Sequence, residues 1–558
     1  MRLFPIALIL PALLSSCAGV ATPARAPAAD AAAIAVPSIA RPDGEDAQWW
    51  YRSGASLAHA RGAGQARARN LILFVGDGMS LPTVAAARIL AGQRLGHPGE
   101  EHQLSFETFP HTAFSRTYNT DSQVPDSAGT MTAMATGVKS RKGVISVGPA
   151  ARRGDCAAGR DAELPTLLEL AEVAGLATGI VTTTRLTHAT PAASYAHVAE
   201  REWEHDDKLD DAARAAGCRD IARQFVEFDL GDGIDVALGG GRSRFLPSAS
   251  GGRRRDGRDL LAQWRQRHPQ GRIVATADEL EAVDPARSEP LLGLFAPEHL
   301  AYEHDRRGEA AGEPSLARMT RAAIELLRRR PAGFVLIVEA GRIDHAHHAG
   351  NAYRALGETI ALADAVRVAT ELTDAEDTLI LVTADHAHTL GFAGYPRRGN
   401  PILGKVIGAS DEDAEPGLAR DALGLPYTTL GYANGPGYSG ASAAQAEGPK
   451  RFEHRPAGAR PSEGRPDLTS VDTEAPDYLQ ESAMPLGSET HGGDDVGIWA
   501  LGPGASAVRG SVEQTHVFHV LLQSQPRLVA LLCRLDSCER GVPVRLPTPE
   551  SLRRANRR

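Results

Sequence analysis

FVLIVEAGRIDHAHHAG, residues 334–350, decides the fold. Phe334 to Val338 is an unbroken apolar run, the pattern of a strand buried on both faces of a parallel sheet. Glu339 ends the run, and Asp344, His345, His347 and His348 follow at once. Asp344 and His348 are four apart, so on a helix they share a face and can converge on one ion. In open α/β sheets ligands gather at the carboxyl ends of strands, and that is where these side chains fall.

Working outward, the same design recurs. Thr378 to Val382 (TLILV) reads as a strand and ends in Thr383-Ala384-Asp385-His386. Leu71 to Val75 reads as another and ends in Gly76-Asp77-Gly78, where the glycines let the backbone turn around the acid. Gly179 to Thr184 is a fourth, with His188 and Thr190 just past its end and Arg201 on the predicted helical stretch beyond, near Trp203. Ile234 to Leu238 runs into Gly239-Gly240-Gly241, which lacks the GxxxxGK[ST] spacing and reads as a tight strand-to-helix turn. Helices are predicted over 46–61, 164–174, 316–329, 359–372 and 513–522. His491 precedes a last strand, Val496 to Leu501. Residues 248–273, charged and glycine-rich, read as a surface excursion. Strands alternating with helices predict an α/β fold.

The run NTDSQVPDSAGTMTAMATG places Ser127 after Pro125 and Asp126, at the start of a predicted helix. Free N–H groups there favour an anion, yet an Asp-Ser pair before a helix is also an ordinary cap. A serine hydroxyl is a weak nucleophile until a base or a metal activates it. The strand ends provide that activator: Asp77, Glu339, Asp344, His348, Asp385, His386 and His491 are too many ligands for one tetrahedral ion. Oxygen and nitrogen donors of this kind suit zinc, and the surplus carboxylates suit magnesium. Two close metals clamp the attacking and leaving oxygens of a displacement, and Arg201 adds a planar fork matched to phosphoryl oxygens. Together these roles describe hydrolysis of a phosphate ester through a phosphoserine.

The chain has 558 residues, 60 basic against 69 acidic side chains, and 42% hydrophobic content, a globular composition without a polybasic footprint for nucleic acid. MRLFPIALILPALLSSCAG has one positive charge, a short apolar run and small residues before Cys17. It reads as an export leader with a lipoprotein cleavage box, which makes Cys17 the lipidated mature N-terminus; cleavage around Ala18 to Ala21 by an ordinary secretion route is the alternative. The expected layout is a leader over 1–17, a flexible Ala/Pro tether over 18–42, a core over 43–394, an insertion rich in turns over 395–484, the rest of the core over 485–540 and a polar tail over 541–558. The body is expected outside the cytoplasm, periplasmic or at the cell surface. Four cysteines remain after Cys17, an even number that suggests two disulfides in an exported chain. Three pairings are open. The short Cys533–Cys538 spacing favours a local clip, leaving Cys156–Cys218, and no close CxxC pairs support a zinc-thiolate site.

PDSAGT, VTTTRLTHATP, VEAGRIDHAHH, TADHAH and ETHGGDD resemble the alkaline phosphatase family, in wording closer to the vertebrate tissue enzymes, and collinearly from about Trp49 to Cys538. The resemblance implies a three-layer α/β/α sandwich with a large, mostly parallel central sheet, and a crown-like insertion over 395–484. It implies Ser127 as nucleophile and Arg201 as phosphate clamp. Asp344, His348 and His491 would hold one zinc, Asp77, Asp385 and His386 the second. Asp77, Thr190 and Glu339 would hold a magnesium, with His188 in its outer shell and His345 near the phosphate. A homodimer embraced by the helix around Trp49 and the pairing Cys156–Cys218, Cys533–Cys538 are implied as well. Two departures stand out. The vertebrate-type calcium site uses an acid after the phenylalanine of a GLFEP-like motif, and here Gly293-Leu294-Phe295-Ala296-Pro297 has lost it at Ala296, with Glu298 and Glu313 the nearby acids. Vertebrate forms carry a C-terminal lipid signal, whereas SLRRANRR is polar and the expected anchor is Cys17.

The competing functions are a phosphodiesterase or sulfatase of the wider superfamily, or an extracellular binding protein without turnover. A sulfatase needs a CxPxR-like or SxPxR-like motif, which Asp126-Ser127-Ala128-Gly129-Thr130 is not; a dead relative would show a damaged ligand, and none is damaged.

Overall fold

The apolar run at 334–340 is the strand Phe334–Ala340, buried at every position, and it lies at the middle of a ten-stranded sheet. In this computed structural model residues 33–286, 289–306, 312–408, 417–421, 423–439, 448–449, 451 and 465–557 are described. The strands are β1 (Asn70–Gly76), β2 (His111–Arg116), β3 (Ala177–Arg185), β4 (Val236–Gly240), β5 (Arg272–Val274), β6 (Leu291–Leu294), β7 (Phe334–Ala340) and β8 (Thr378–Ala384), followed by Val496–Leu501 and Gly510–Glu513. Their order across the sheet is Gly510–Glu513, β2, Val496–Leu501, β8, β1, β7, β3, β4, β6, β5. All run in one direction except Val496–Leu501, which is antiparallel to both neighbours.

Why both faces are covered is written in the strands. In β1, Leu71, Leu73 and Val75 enter one core with Ile337, Leu379 and Leu381, while Ile72 and Phe74 enter the other with Leu336, Val338, Ile380 and Val382. Alternate residues therefore feed opposite layers, and a strand buried on both sides has no room for polar alternation. One layer includes the helices Ser127–Thr136, Leu167–Val173 and Thr515–Ser524; the other includes Leu81–Arg94, Leu316–Leu327 and Ala352–Leu372. Side-chain caps start these helices: Ser80 accepts from Thr83 N, Asp126 from Gly129 N and Ser315 from Arg318 N. The mostly parallel sheet between two helical layers matches the expected fold class.

Several expectations are corrected. Arg201 is in a turn, not a helix, because its N–H is drawn to Gly143 O at 2.9 Å and the backbone there closes short turns, Trp203 N to Glu200 O and Glu204 N to Glu202 O, in place of a helical ladder. Residues 248–273 are more than a surface excursion. Arg254 is fully buried between Asp220 and Asp256, Trp264 is buried on the helix Leu260–Arg267, and β5 edges the main sheet. Arg254's charge is paired in the interior, which a composition reading takes for solvation. The helix expected from Thr359 begins at Ala352, capped by Asn351.

The helix Ala47–Ala60 buries Trp50, Tyr51, Gly54, Ala55 and Ala58, and Tyr51 meets Phe518 and His519 of this chain edge-on. Farther along the chain, Leu430–Gly435 and Ser482–Pro485 join Leu390–Phe392 in a small sheet. Pro549–Asn556 is a helix whose Leu552 is buried. Cys156 pairs with Cys218 and Cys533 with Cys538. The leader, Cys17 and the tether up to residue 32 lie outside the described residues. Among the described residues no helix is long and apolar enough to cross a membrane.

Candidate active site

The exits of β8, β1, β7 and β3 are neighbours, so residues far apart in sequence arrive at one edge of the sheet. Asp77 follows β1, Glu339 lies in β7, and Asp385 and His386 follow β8. The helix Arg342–His348 follows β7 and aims Asp344 and His348 together, His348 Nε2 lying 3.3 Å from Asp344 Oδ1. His491 approaches the same oxygen at 3.3 Å and His348 Nε2 at 3.1 Å, its other nitrogen on Pro125 O at 2.8 Å. His386 Nε2 stands 3.3 Å from Asp77 Oδ1 and 3.4 Å from Asp385 Oδ2. Asp385 Oδ1 accepts from Gly78 N at 3.0 Å and His386 N at 2.9 Å. Gly78 has φ +71° and a Cβ there would strike His388 at 2.3 Å, so only glycine closes this turn.

Ser127 opens its helix, 2% exposed, with Oγ 3.1 Å from His386 Nε2 and 3.4 Å from Asp77 Oδ1. Asp126 caps that helix and also accepts from Gly143 N and Arg201 Nη1, both at 3.0 Å. Arg201 Nη2 is 3.3 Å from His188 Nε2. The serine and the guanidinium are thus held by adjacent residues. His345 stands apart from the ligand groups, its Nδ1 3.0 Å from Arg342 and its ring facing His188 and His299.

Among the described residues, three groups of side chains offer ligand atoms within 4.8 Å of one another: Asp344, His348, His388 and His491; Asp77, Asp344 and His386; and Asp77, His188 and Glu339. Burial, then mutual repulsion among Asp77, Asp385, Asp344 and Glu339, lifts Asp77 well above the carboxylate range; burial lifts Asp385 to about 6 and Glu339 to about 7. Burial pushes Asp344 up too, but His348 and bonds from His388 and His491 hold it well below its ordinary value. Burial and His491 keep His386 neutral, the form that ligates. Asp77 Oδ2, Glu339 Oε1, Thr190 Oγ1 and His188 Nδ1 are buried without hydrogen-bond partners among the described residues. Clustered carboxylates and orphaned donors fit cations. The calcium position does not fit. Glu298 is forked by Arg244 at 2.8 and 2.7 Å and bound by Arg253 at 3.0 Å, while Glu313 accepts from Ala301 N at 2.6 Å.

The alkaline phosphatase family model matches residues 68–525. The chain belongs to the alkaline phosphatase family. It is 42% identical to the alkaline phosphatase of Gadus morhua over 468 residues, covering 82% of this chain and 91% of that protein. With the tissue-nonspecific isozyme of Homo sapiens it shares 41% identity, over 81% of this chain and 83% of that one. The crystal structure of Thermus thermophilus alkaline phosphatase superimposes with a TM-score of 0.58 at 29% identity, covering 84% of this chain and 95% of that one.

Within this alkaline phosphatase framework the ligand groups include His388, which the sequence reading did not single out. His388, fully buried, donates toward Asp344 Oδ1 at 2.7 Å and pairs through Nδ1 with Glu489. Burial pushes it down, but Glu489 and Asp344 raise it to about 10. It stood in the TADHAH motif, and its spacing two beyond His386 was the available signal.

Proposed function

We propose that this protein hydrolyses phosphate monoesters through a phosphoserine at Ser127, with two zinc ions and one magnesium. The observation that carries this is the triple convergence at Ser127: Asp77 and His386 beside its Oγ, and Arg201 locked to its neighbour Asp126. Asp344, His348 and His491 would hold the first zinc, Asp77, Asp385 and His386 the second, and Asp77, Thr190 and Glu339 the magnesium, with His188 behind it. Bound there, the ions supply Lewis-acid charge to the oxygens around phosphorus.

The chain's own residues do the rest. Arg201 forks two phosphoryl oxygens and turns the phosphorus toward Ser127. Ser127 Oγ, losing its proton to solvent, forms a bond to phosphorus as the ester bond breaks and the alcohol leaves with a proton. Water then attacks phosphorus, the Ser127 Oγ–P bond breaks, and the serine hydroxyl and inorganic phosphate are released. The export, the lipid at Cys17, the layout of the chain and a homodimer built on the helix around Trp49 and the 395–484 insertion belong to the same proposal. Acylated Cys17 in the intact mass of the membrane fraction is the expected result for the anchor.

The decisive experiment compares rates on a phosphate monoester, a diester and a sulfate ester. The monoester must dominate, chelation must abolish turnover, and zinc plus magnesium must restore it. A preferred diester or sulfate, or activity indifferent to chelator, refutes the proposal.

A further inference from the structure

A second charged cluster lies behind the exit of β3. Glu204, only 6% exposed, takes Arg185 in a fork at 2.7 and 2.5 Å. Its Oε2 also accepts from Thr187 Oγ1 at 2.6 Å, and Arg244 Nε stands 3.6 Å away. Arg185 is the last residue of β3 and Thr187 lies in the turn after it, immediately before His188 and Thr190. Three residues before Glu204 stands Arg201. One carboxylate therefore ties the segment bearing the phosphate arginine to the turn bearing His188 and Thr190. Arg185 continues the chain of contacts: its N–H donates to His299 Nδ1 at 3.3 Å, its guanidinium meets His299 Nε2, and the His299 ring lies edge-on to His345 and His188 at 4.2 and 5.4 Å.

A buried carboxylate with three charged or hydroxyl partners is rigid, because each bond is charge-assisted and little water competes. Neither Glu204 nor Arg185 belongs to a ligand group. We propose that Glu204 is a positioning residue for the third metal site, fixing His188 and Thr190 relative to Arg201 through Arg185 and Thr187. This rests on the reading that Asp77, Thr190 and Glu339 hold magnesium.

The test is Glu204→Gln, which keeps the side chain's size and removes its charge. Magnesium titrated into the zinc-loaded enzyme and followed by calorimetry should show a Kd raised about 3–10-fold, less than the roughly 10–100-fold that follows loss of a group bonded directly to a ligand, because Glu204 acts through Arg185 and Thr187. Excess magnesium should recover much of the lost kcat. Thr187→Val, a near-isostere without the hydroxyl, should shift Kd the same way by a smaller factor, and it answers the question if the glutamine variant does not fold. A merely structural ion pair would lower the melting temperature and leave Kd alone. Unchanged magnesium affinity in the folded variants, against clear binding by the unmodified enzyme, overturns the role of Glu204 only. No magnesium binding by the unmodified zinc enzyme overturns the third-site reading, and this inference with it.

Discussion

Replacing Ser127 by alanine separates chemistry from architecture. Among the described residues the side chain makes two hydrogen bonds, one at 3.1 Å and one at 3.4 Å, the second at the edge of hydrogen-bond range. The cap of its helix is carried by Asp126, which keeps Gly129 N, Gly143 N and Arg201 in the variant. Alanine is also favourable in a first helical turn, so the expected stability change is within about 1 kcal/mol. Turnover is another matter, because the covalent route needs an oxygen at that place. We expect p-nitrophenyl phosphate turnover to fall at least ~1000-fold, equivalent to about 4 kcal/mol of transition-state stabilisation. Residual hydrolysis would come from the surrounding binding groups alone. Zinc content should stay near that of the unmodified enzyme, since Asp77, Asp385 and His386 remain. A variant that keeps more than about a tenth of the turnover at equal zinc content would break the argument, since a tenfold loss is only about 1.4 kcal/mol.

Arg201→Lys keeps the charge but loses the fork, and KM for a monoester should rise about tenfold, with Arg201→Ala worse; steady-state kinetics at saturating metal check this. His388→Gln removes the hold on Asp344, so zinc affinity, read by competition with a chelating dye, should weaken about 10–100-fold. His197 is paired with Glu169 at 3.0 Å; burial pushes it down, but the carboxylate raises it to about 9. A raised folded pKa contributes stability fully below the ordinary histidine value of about 6.5 and loses it as pH climbs through about 9. Urea unfolding should therefore show His197→Gln to be destabilising by up to about 3 kcal/mol at pH 6.5 and by much less at pH 10.

Local features were the legible ones. The runs at 71–75, 334–338 and 378–382 announce buried strands because neighbours on both faces forbid polar residues, and the acids and histidines after them are read from adjacency. The Asp344–His348 spacing was readable because helix geometry alone makes them meet. Less was visible where the reason lies across the sheet. Val496–Leu501 is located by its apolar run, but nothing in it says that it runs against its neighbours. His111–Arg116 and Gly510–Glu513 are short and half-exposed, and their identity as strands depends on each other. Arg254, Glu204 and His388 look like ordinary polar residues until the fold encloses them with partners.

The spread of the ligands along the chain has a consequence for maturation. Asp77 enters near the start of the body and His491 near its end, and the sheet interleaves what lies between. By residue 386 the chain has already supplied Asp77, Thr190, Glu339, Asp385 and His386, but the group around Asp344 and His348 waits for His491, about a hundred residues later, so that group is the last to be completed as the chain is made. Asp344 has His348, His388 and His491 as partners, whereas Asp77, Asp385 and Glu339 repel one another when buried, so a chain folded without cations should be less stable than one folded with them.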